Sequence, residues 1–284
     1  MHNPKNVGAW AIFPGRKLAQ LTIEGRAAGP IFARCTQVIS EAKLSILSGF
    51  ISAPDQPGHA TIHLVLDATE SVDKLAGLKG DLEALQDVVA VSVTTDDGYA
   101  VDREHFPVQA GGRKAIVLQA DAVSEMLSRL RSVFGTGALT IVDQMAEAMG
   151  RQSAKMMVED LGSDFAMGHA DDLLRTYTAL GYADVSVERR RPNEFPVVAH
   201  ASGLFECEAN VRGRNRQRSV FFRAHLRGFI SEIFRSEFEV SEAQCVTEGD
   251  EVCSFRIEMC ESPVSPSASR YRNGAARNGP LPSF

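Results

Sequence analysis

Residues 240–257 have the sequence VSEAQCVTEGDEVCSFRI, which is the most informative stretch of the C-terminal half of the chain. It predicts a β-hairpin, because alternating apolar runs flank the turn-forming residues 248–250. With that turn, Cys245 faces Cys253 across the two strands. Side chains opposed in this way have Cβ atoms about 5 Å apart, so that two thiolates can share one metal ion.

Glu242 occupies an inward position of the first hairpin strand, where it alternates with Phe238 and Val240. A buried carboxylate needs a partner. Because Glu242 and Cys245 are separated by an odd number of positions, both reach one ion only if a bulge interrupts the strand near residues 243–244. Two interpretations remain open: a metal site, or a hairpin with two reduced buried cysteines and Glu242 at a solvated edge.

The segments before this hairpin mix helices with strands. Apolar stripes predict helices over residues 120–150, 171–181 and 221–234. Period-two patterns predict strands over residues 182–190, 195–203 and 204–210, and in the last of them Cys207 shares a face with Phe205 and Ala209. His225 lies on the third helix, beside Phe222 and Phe229.

The stretch from Phe205 to Ile257 contains a Gly-centred helix, HLRGFISEIF, and a Glu-x-x-Cys-x7-Cys ending with Gly-Asp inside it. These motifs resemble the end of a vinyl-4-reductase domain, and the resemblance covers residues 111–260. It implies an α/β ligand-binding domain, related to phenol-sensing domains of bacterial transcription activators and to a vesicle-tethering fold. Since the phenol sensors hold zinc with such an ending, the resemblance assigns zinc binding to Glu242, Cys245 and Cys253.

The phenol sensors take their remaining zinc ligand from a cysteine on the helix, and residues 219–227 contain none. Two residues are candidates for the fourth ligand: His225, on that helix, and Cys207, if its strand runs past the hairpin. A closed site with four protein ligands would be structural. The resemblance also implies a small, mostly apolar ligand, and the candidate lining residues are Phe222, Phe229, Met145 and Met149.

The N-terminal part predicts a separate unit with the element order βαββαβ, starting from the strand KLAQLTIEG at residues 17–25. This order implies a ferredoxin-like, four-stranded antiparallel sheet covered by two helices on one face. Residues 21–52 also resemble an ACT domain, a family that often binds an amino acid at the loop after the first strand. The resemblance points to Gly29 and Ile31. The alternative is a dimerising module without a ligand.

Composition limits the function classes. Apolar residues make up 44% and charged residues 23% of the 284, which predicts a folded globular chain. The net charge of -6 argues against direct nucleic-acid binding, although residues 212–218 form an arginine-rich loop. No apolar run reaches the roughly 20 residues that cross a bilayer, and the start lacks a signal-peptide pattern, so we expect a cytoplasmic protein without a membrane partner. Five cysteines favour reduced thiols or a metal site.

We therefore predict an α+β chain in which a ferredoxin-like, ACT-like domain precedes a vinyl-4-reductase-type domain. The predicted segments are an extension (1–16), the ACT-like domain (17–97), a linker (98–115), the second domain (116–260) and a disordered tail (261–284). His105, in the linker, is interpreted as a solvated side chain.

The predicted function is that of a non-enzymatic, homodimeric small-molecule sensor or regulator with a structural zinc ion. Two alternatives remain: a tetrapyrrole vinyl reductase or its carrier, suggested by the family name, and a dimeric assembly module without a ligand.

Overall fold

The structure is a computed structural model that describes residues 10–26, 28–52, 59–188, 194–212 and 217–260. The predicted tail, 261–284, and the first nine residues of the predicted extension lie outside the described residues. The chain divides into two compact units, residues 1–116 and 117–284. The buried side chains of each hydrophobic core come from one unit alone.

Unit 1 contains a four-stranded antiparallel sheet with the strand order β2-β3-β1-β4. Its elements are β1 (Trp10–Gly25), α1 (Ala28–Glu41), β2 (Ser45–Ser52), β3 (Ala60–Asp67), a 3-10 turn (Val72–Lys74), α2 (Leu75–Glu83) and β4 (Val88–Val101), followed by a short hairpin of β5 (Gln109–Ala110) and β6 (Arg113–Lys114). The order βαββαβ is the predicted one.

One face of this sheet carries the helix-side core. Leu21 and Ile23 on β1 and Leu64 on β3 are buried there together with Ile31 of α1. Their alternation with polar residues such as Thr22 follows from the period of two along a strand. Because β1 and β3 pair in register, the polar residues between these core positions face the opposite side of the sheet.

The bounds of unit 1 differ from the expectation at both ends. β1 begins at Trp10, so residues 10–16 of the predicted extension belong to the strand, and residues 10–12 pair with the end of β4. The segment 98–115 was expected to be a linker, but it contains the last residues of β4 and the β5–β6 hairpin. A stretch rich in Gly and Asp thus forms regular backbone pairs, because turns and paired strand ends share that composition.

Unit 2 combines seven helices with a four-stranded antiparallel sheet among the residues described. The strand order is β7-β8-β10-β9. Its elements are α3 (Ala120–Phe134), α4 (Gly137–Leu161), α5 (Ser163–Gly168), α6 (Ala170–Leu174), α7 (Thr176–Ala179), β7 (Asp184–Glu188), β8 (Val197–Ser202), α8 (Phe205–Arg212), α9 (Phe221–Phe234), β9 (Phe238–Gln244), a 3-10 turn (Val246–Glu248) and β10 (Cys253–Met259). The prediction of a mixed α/β chain with antiparallel sheets is confirmed.

The strand predicted over residues 204–210 is wrong, because this segment forms helix α8. Gly203 ends the preceding turn with a φ of +64°, a backbone conformation that glycine adopts without strain. The N–H of Glu208 then donates to the Leu204 carbonyl, as in a helix. Leu204, Phe205 and Cys207 are all buried, as expected for the inner face of a short helix. Within the described part of the chain, no helix is long and apolar enough to span a bilayer.

Candidate metal centre

Four buried side chains with metal-binding chemistry converge at one end of the unit 2 sheet. Cys207 comes from α8, Glu242 from β9, Cys245 from the start of the 3-10 turn and Cys253 from the start of β10. One ligand atom of each lies within 4.8 Å of one ligand atom of each of the others. The sequence brought Glu242, Cys245 and Cys253 under consideration together, and the structure adds Cys207, on a helix.

The distances between the ligand atoms fit a tetrahedral ion. A Zn–S bond of about 2.3 Å implies that two sulfur ligands of a tetrahedral site lie about 3.8 Å apart. The Sγ atom of Cys245 lies 3.6 Å from that of Cys207 and 3.9 Å from that of Cys253. The Cys207 Sγ lies 4.0 Å from the Glu242 Oε1. All three thiols are free, since a disulfide would need a separation of about 2 Å.

The predicted bulge brings Glu242 and Cys245 to one place. Phe255 pairs with Glu242 and Ser254 pairs with Gln244, so one residue of β9 is left without a partner position on β10. This register shift confirms the bulge near residues 243–244. It reverses the alternation of the strand, and two side chains that a regular strand would separate now face the same interior.

The turn that follows holds Cys245 in position. The backbone N–H of Cys245 donates to the Asp250 Oδ2 at 2.8 Å, and the Cys245 Sγ lies 3.1 Å from the Thr247 hydroxyl. Gly249 closes the 3-10 turn with a φ of +105°, which a side chain at this position would oppose. The Gly-Asp pair of the motif therefore shapes the loop that presents a cysteine.

Glu242 is oriented by the segment that precedes α9. The backbone N–H of Ser219 donates to the Glu242 Oε2 at 3.0 Å, while Arg218 donates to the Glu242 backbone carbonyl at 2.6 Å. Arg218 also forms an ion pair with Glu248 through two nitrogens. Contacts of this kind behind a ligand fix its position and its affinity for the ion. Residues 213–216 of the arginine-rich loop lie outside the described residues. Arg218, at the end of that loop, supports Glu242 through its backbone carbonyl.

The protonation of the cluster reflects its burial. Burial raises the pKa of Glu242 and raises that of Cys245 to about 11. A hydrogen bond with Cys253, together with burial, raises the pKa of Cys207 far above that of a free thiol. The same hydrogen bond lowers the pKa of Cys253. Glu242, Cys207 and Cys245 thus hold their protons more tightly than the free groups do, and a divalent cation would displace those protons.

The structure places His225 outside this cluster. Its Nδ1 lies 2.8 Å from the Tyr177 hydroxyl, and three aromatic rings contact it, those of Tyr177, Tyr182 and Phe221. The sequence left the fourth candidate ligand open between His225 and Cys207, and the cluster contains Cys207.

The other predicted lining residues have different surroundings. Phe222 and Phe229 are buried in the unit 2 core and both contact Tyr177. Met145 and Met149 lie on the exposed side of α4, with 57% and 46% of their surface accessible, so the interior of the unit does not contain them. Gly29 lies in the first turn of α1 and Ile31 is fully buried in the unit 1 core.

Sequence reasoning missed Glu206, a neighbour of Cys207 that is only 2% exposed. Its carboxylate accepts hydrogen bonds from the backbone N–H groups of Val220, Phe221 and Phe222, at 3.0, 3.3 and 3.1 Å. The guanidinium of Arg131 donates to it at 2.9 Å. A carboxylate at a helix N-terminus satisfies donors that have no partner within the helix. Glu206 therefore fixes α8 against α9. In the sequence, the only sign of this role was a charged residue next to Cys207.

Comparisons with known proteins found one sequence relative at low identity and several solved structures similar to parts of the chain. No protein-family profile matches the chain. The chain is 20% identical over 148 residues to an uncharacterized protein of Methanocaldococcus jannaschii, a match that covers 50% of this chain and 90% of the relative. A solved vinyl-4-reductase family protein from Methanocaldococcus jannaschii is similar at 17% identity, with 52% and 100% of the two chains covered and a TM-score of 0.31.

Two further solved structures are similar to parts of the chain. The phenol-responsive sensory domain of the transcription activator PoxR is 15% identical, with 56% of this chain and 84% of that chain covered and a TM-score of 0.47. The ACT domain of the GTP pyrophosphokinase of Chlorobium tepidum is 27% identical, with 30% and 100% covered and a TM-score of 0.24.

Proposed function

We propose that unit 2 is a small-molecule-binding sensor module whose sheet and helix α8 are held together by a structural zinc ion. The observation that carries the proposal is the Cys₃Glu cluster of Cys207, Glu242, Cys245 and Cys253, with ligand atoms at tetrahedral spacing. Thiolate ligands select zinc over the hard cations Mg²⁺ and Ca²⁺. The resemblance to zinc-binding phenol sensors supports the same assignment.

The donor set favours a structural ion over a catalytic one. A catalytic zinc site leaves one position for water or substrate, whereas four protein ligands fill a tetrahedral shell. The ligands span 46 positions of the chain, from Cys207 on α8 to Cys253 on β10. One ion would therefore cross-link α8 to the β9–β10 hairpin, and its binding free energy would become folding free energy.

The ligand would bind in the aromatic interior next to α9. The Tyr177 hydroxyl and the His225 imidazole form a buried polar pair there, and aromatic rings enclose it. Such a pair offers one hydrogen bond to a small aromatic ligand with a polar group, and the rings supply apolar contact. The ring centroids around Tyr177 lie 5.1–5.6 Å apart, so a ligand would have to displace a ring on entry.

The same close packing favours a second candidate, a homodimeric assembly module without a ligand. An interior that is filled by its own side chains supports stability without requiring an occupant. Calorimetric titration of the full chain with phenol separates the two candidates. The sensor predicts saturable heat that Tyr177→Phe weakens and Met149→Ala, on the exposed side of α4, leaves unchanged. The assembly module predicts no heat with phenol and a dimer mass in sedimentation.

The zinc assignment is tested by metal analysis of the full chain and by cobalt substitution. We expect the wild type to show thiolate-to-cobalt charge-transfer absorption, since Co²⁺ adopts the tetrahedral site of Zn²⁺. Cys253→Ser removes one of the three sulfur ligands and should weaken this absorption and release zinc. Cys260→Ser is the matched control, because Cys260 is exposed and lies outside the cluster. Wild-type protein without zinc and without thiolate–cobalt absorption would contradict the proposal.

A further inference from the structure

A second group of metal-binding side chains lies in unit 1, on the sheet face that points away from helices α1 and α2. His63 is on β3 between Ile62 and Leu64, which face the helix-side core, so its own side chain faces the opposite side. Asp102 and His105 belong to the segment after β4. One ligand atom of each of the three residues lies within 4.8 Å of the others.

The segment after β4 forms a compact turn over His63. The Asp102 carboxylate accepts hydrogen bonds from the backbone N–H groups of Glu104, at 3.0 Å, and His105, at 3.1 Å. It also lies 2.9 Å from the Nδ1 of the His105 ring. The rings of His105 and His63 have centroids 4.9 Å apart. His105 is therefore a positioned residue with 24% of its side chain exposed, which corrects its interpretation as solvated.

His63 has a nitrogen that the described residues leave without a partner. The side chain is 2% exposed, and its Nδ1 lies 3.0 Å from the Thr22 hydroxyl, directly across from it on β1. Its Nε2 is buried and has no hydrogen-bond partner among the residues that the structure describes. Leaving a buried polar atom unsatisfied costs about 1–3 kcal/mol as a general rule, so this atom points to an occupant that the protein side chains do not provide.

The electrostatics keep this nitrogen available as a ligand. Burial lowers the pKa of His63, and the neighbouring His105 acts in the same direction, against the opposing charges of Asp102 and Glu104. Burial alone would raise the pKa of Asp102, but the hydrogen bonds from the Glu104 N–H and from His105 lower it overall. Both shifts favour the forms in which these groups bind metal ions, a neutral imidazole and an ionised carboxylate.

We propose that His63 Nε2, the Asp102 carboxylate and a ring nitrogen of His105 bind a divalent transition-metal ion of the Zn²⁺ class. The hydroxyl of Thr22 behind His63 orients the ring, as outer partners of histidine ligands do. Two imidazoles and one carboxylate suit Zn²⁺, Co²⁺ or Fe²⁺ and leave at least one coordination position open. A cavity of about 150 Å³, lined by Thr22, His63, Asp102 and Glu104 among others, adjoins the cluster and has room for water at that position.

Cobalt titration of the full chain tests this site separately from the cysteine cluster. Oxygen and nitrogen ligands give Co²⁺ visible d–d absorption without thiolate charge transfer, so the two sites have different spectra. We expect the wild type to bind one equivalent of Co²⁺ that adds d–d absorption but no thiolate bands, separately from any Co²⁺ bound at the cysteine cluster. His105→Ala removes one of three ligands and should lower the affinity of this site for Co²⁺ at least about tenfold, since loss of even an outer partner of a ligand lowers metal affinity that much. His59→Ala, an exposed histidine of the same unit, should leave it unchanged.

Asp102→Asn provides a second, isosteric variant, and circular dichroism of each variant establishes that it is folded. If the wild type shows no thiolate bands but still binds Co²⁺ at the His63 site, the zinc proposal for unit 2 is contradicted and the present proposal stands. The present proposal is overturned if the wild type binds no Co²⁺ outside the thiolate site. It is equally overturned if folded His105→Ala and Asp102→Asn bind Co²⁺ with the affinity of the wild type.

Discussion

At the scale of single residues, His225 shows how the interior of unit 2 responds to pH. Burial lowers the pKa of His225 from 6.5 to about 4, although a hydrogen bond opposes this shift. In the unfolded chain the imidazole has its ordinary pKa, so between about pH 6.5 and 4 only the unfolded state binds the proton. The free energy of unfolding therefore decreases as the pH falls through this window.

We expect the His225 contribution to this loss to reach about 3 kcal/mol at pH 4, since each unit of pKa shift corresponds to about 1.4 kcal/mol. His225→Gln retains a hydrogen-bonding partner for the Tyr177 hydroxyl but does not titrate, so its stability should decrease less on acidification. The measurement is urea unfolding at a series of pH values. His169→Gln, at an exposed position of the same unit, is the control. Identical pH profiles of wild type and His225→Gln would contradict the prediction.

At the scale of elements, helices α4 and α9 approach each other closely because glycines lie at the crossing. A Cβ atom added at Gly150 would lie 2.0 Å from the His225 carbonyl oxygen, and one added at Gly228 would lie 2.1 Å from that of Glu147. Both neighbours are backbone atoms, which cannot move aside without moving a helix. Arg227 on α9 also forms ion pairs with Asp143 and Glu147 on α4, each at 2.6 Å.

Gly150→Ala should therefore lower the free energy of unfolding by about 1–3 kcal/mol or more, the usual cost of overpacking a close contact. The result is informative because alanine is the better helix former by about 1 kcal/mol. Gly137→Ala, in the first turn of the same helix, adds its Cβ where no atom lies within 4 Å, and should leave stability unchanged or raise it. Denaturant unfolding measures both. Equal stabilities of the two variants would refute the role of the crossing.

The elements also show what the sequence predicts and what it leaves open. The βαββαβ order and the bulged hairpin follow from periodicity and parity, which are local properties of the chain. Helix α8 was missed because a seven-residue segment with Phe205 and Cys207 buried satisfies a period of two as well as a helical face. The pairing of His63 with His105 has no such pattern, since a turn 42 positions later brings the second ring over the first.

At the scale of the whole molecule, the buried residues that the structure describes form one hydrophobic cluster in unit 2 and two in unit 1. Cys35 is fully buried in the unit 1 core, and Cys253 is fully buried in the unit 2 core and belongs to the metal cluster. The chain contains a single tryptophan, Trp10, at the start of β1. Its fluorescence therefore reports the unfolding of unit 1 alone, whereas circular dichroism reports both units.

Each unit should accordingly unfold in a transition of its own. We expect Cys253→Ser to lower the melting temperature of the transition that circular dichroism detects and tryptophan fluorescence does not, by about 5–10 °C, because it removes a metal ligand and about 2–3 kcal/mol. Cys35→Ser is the reciprocal control: a hydroxyl in the unit 1 core should shift the fluorescence transition and spare the other. If either substitution moves both transitions together, the two cores form one cooperative unit, and a metal ion in unit 2 would then stabilise the entire chain.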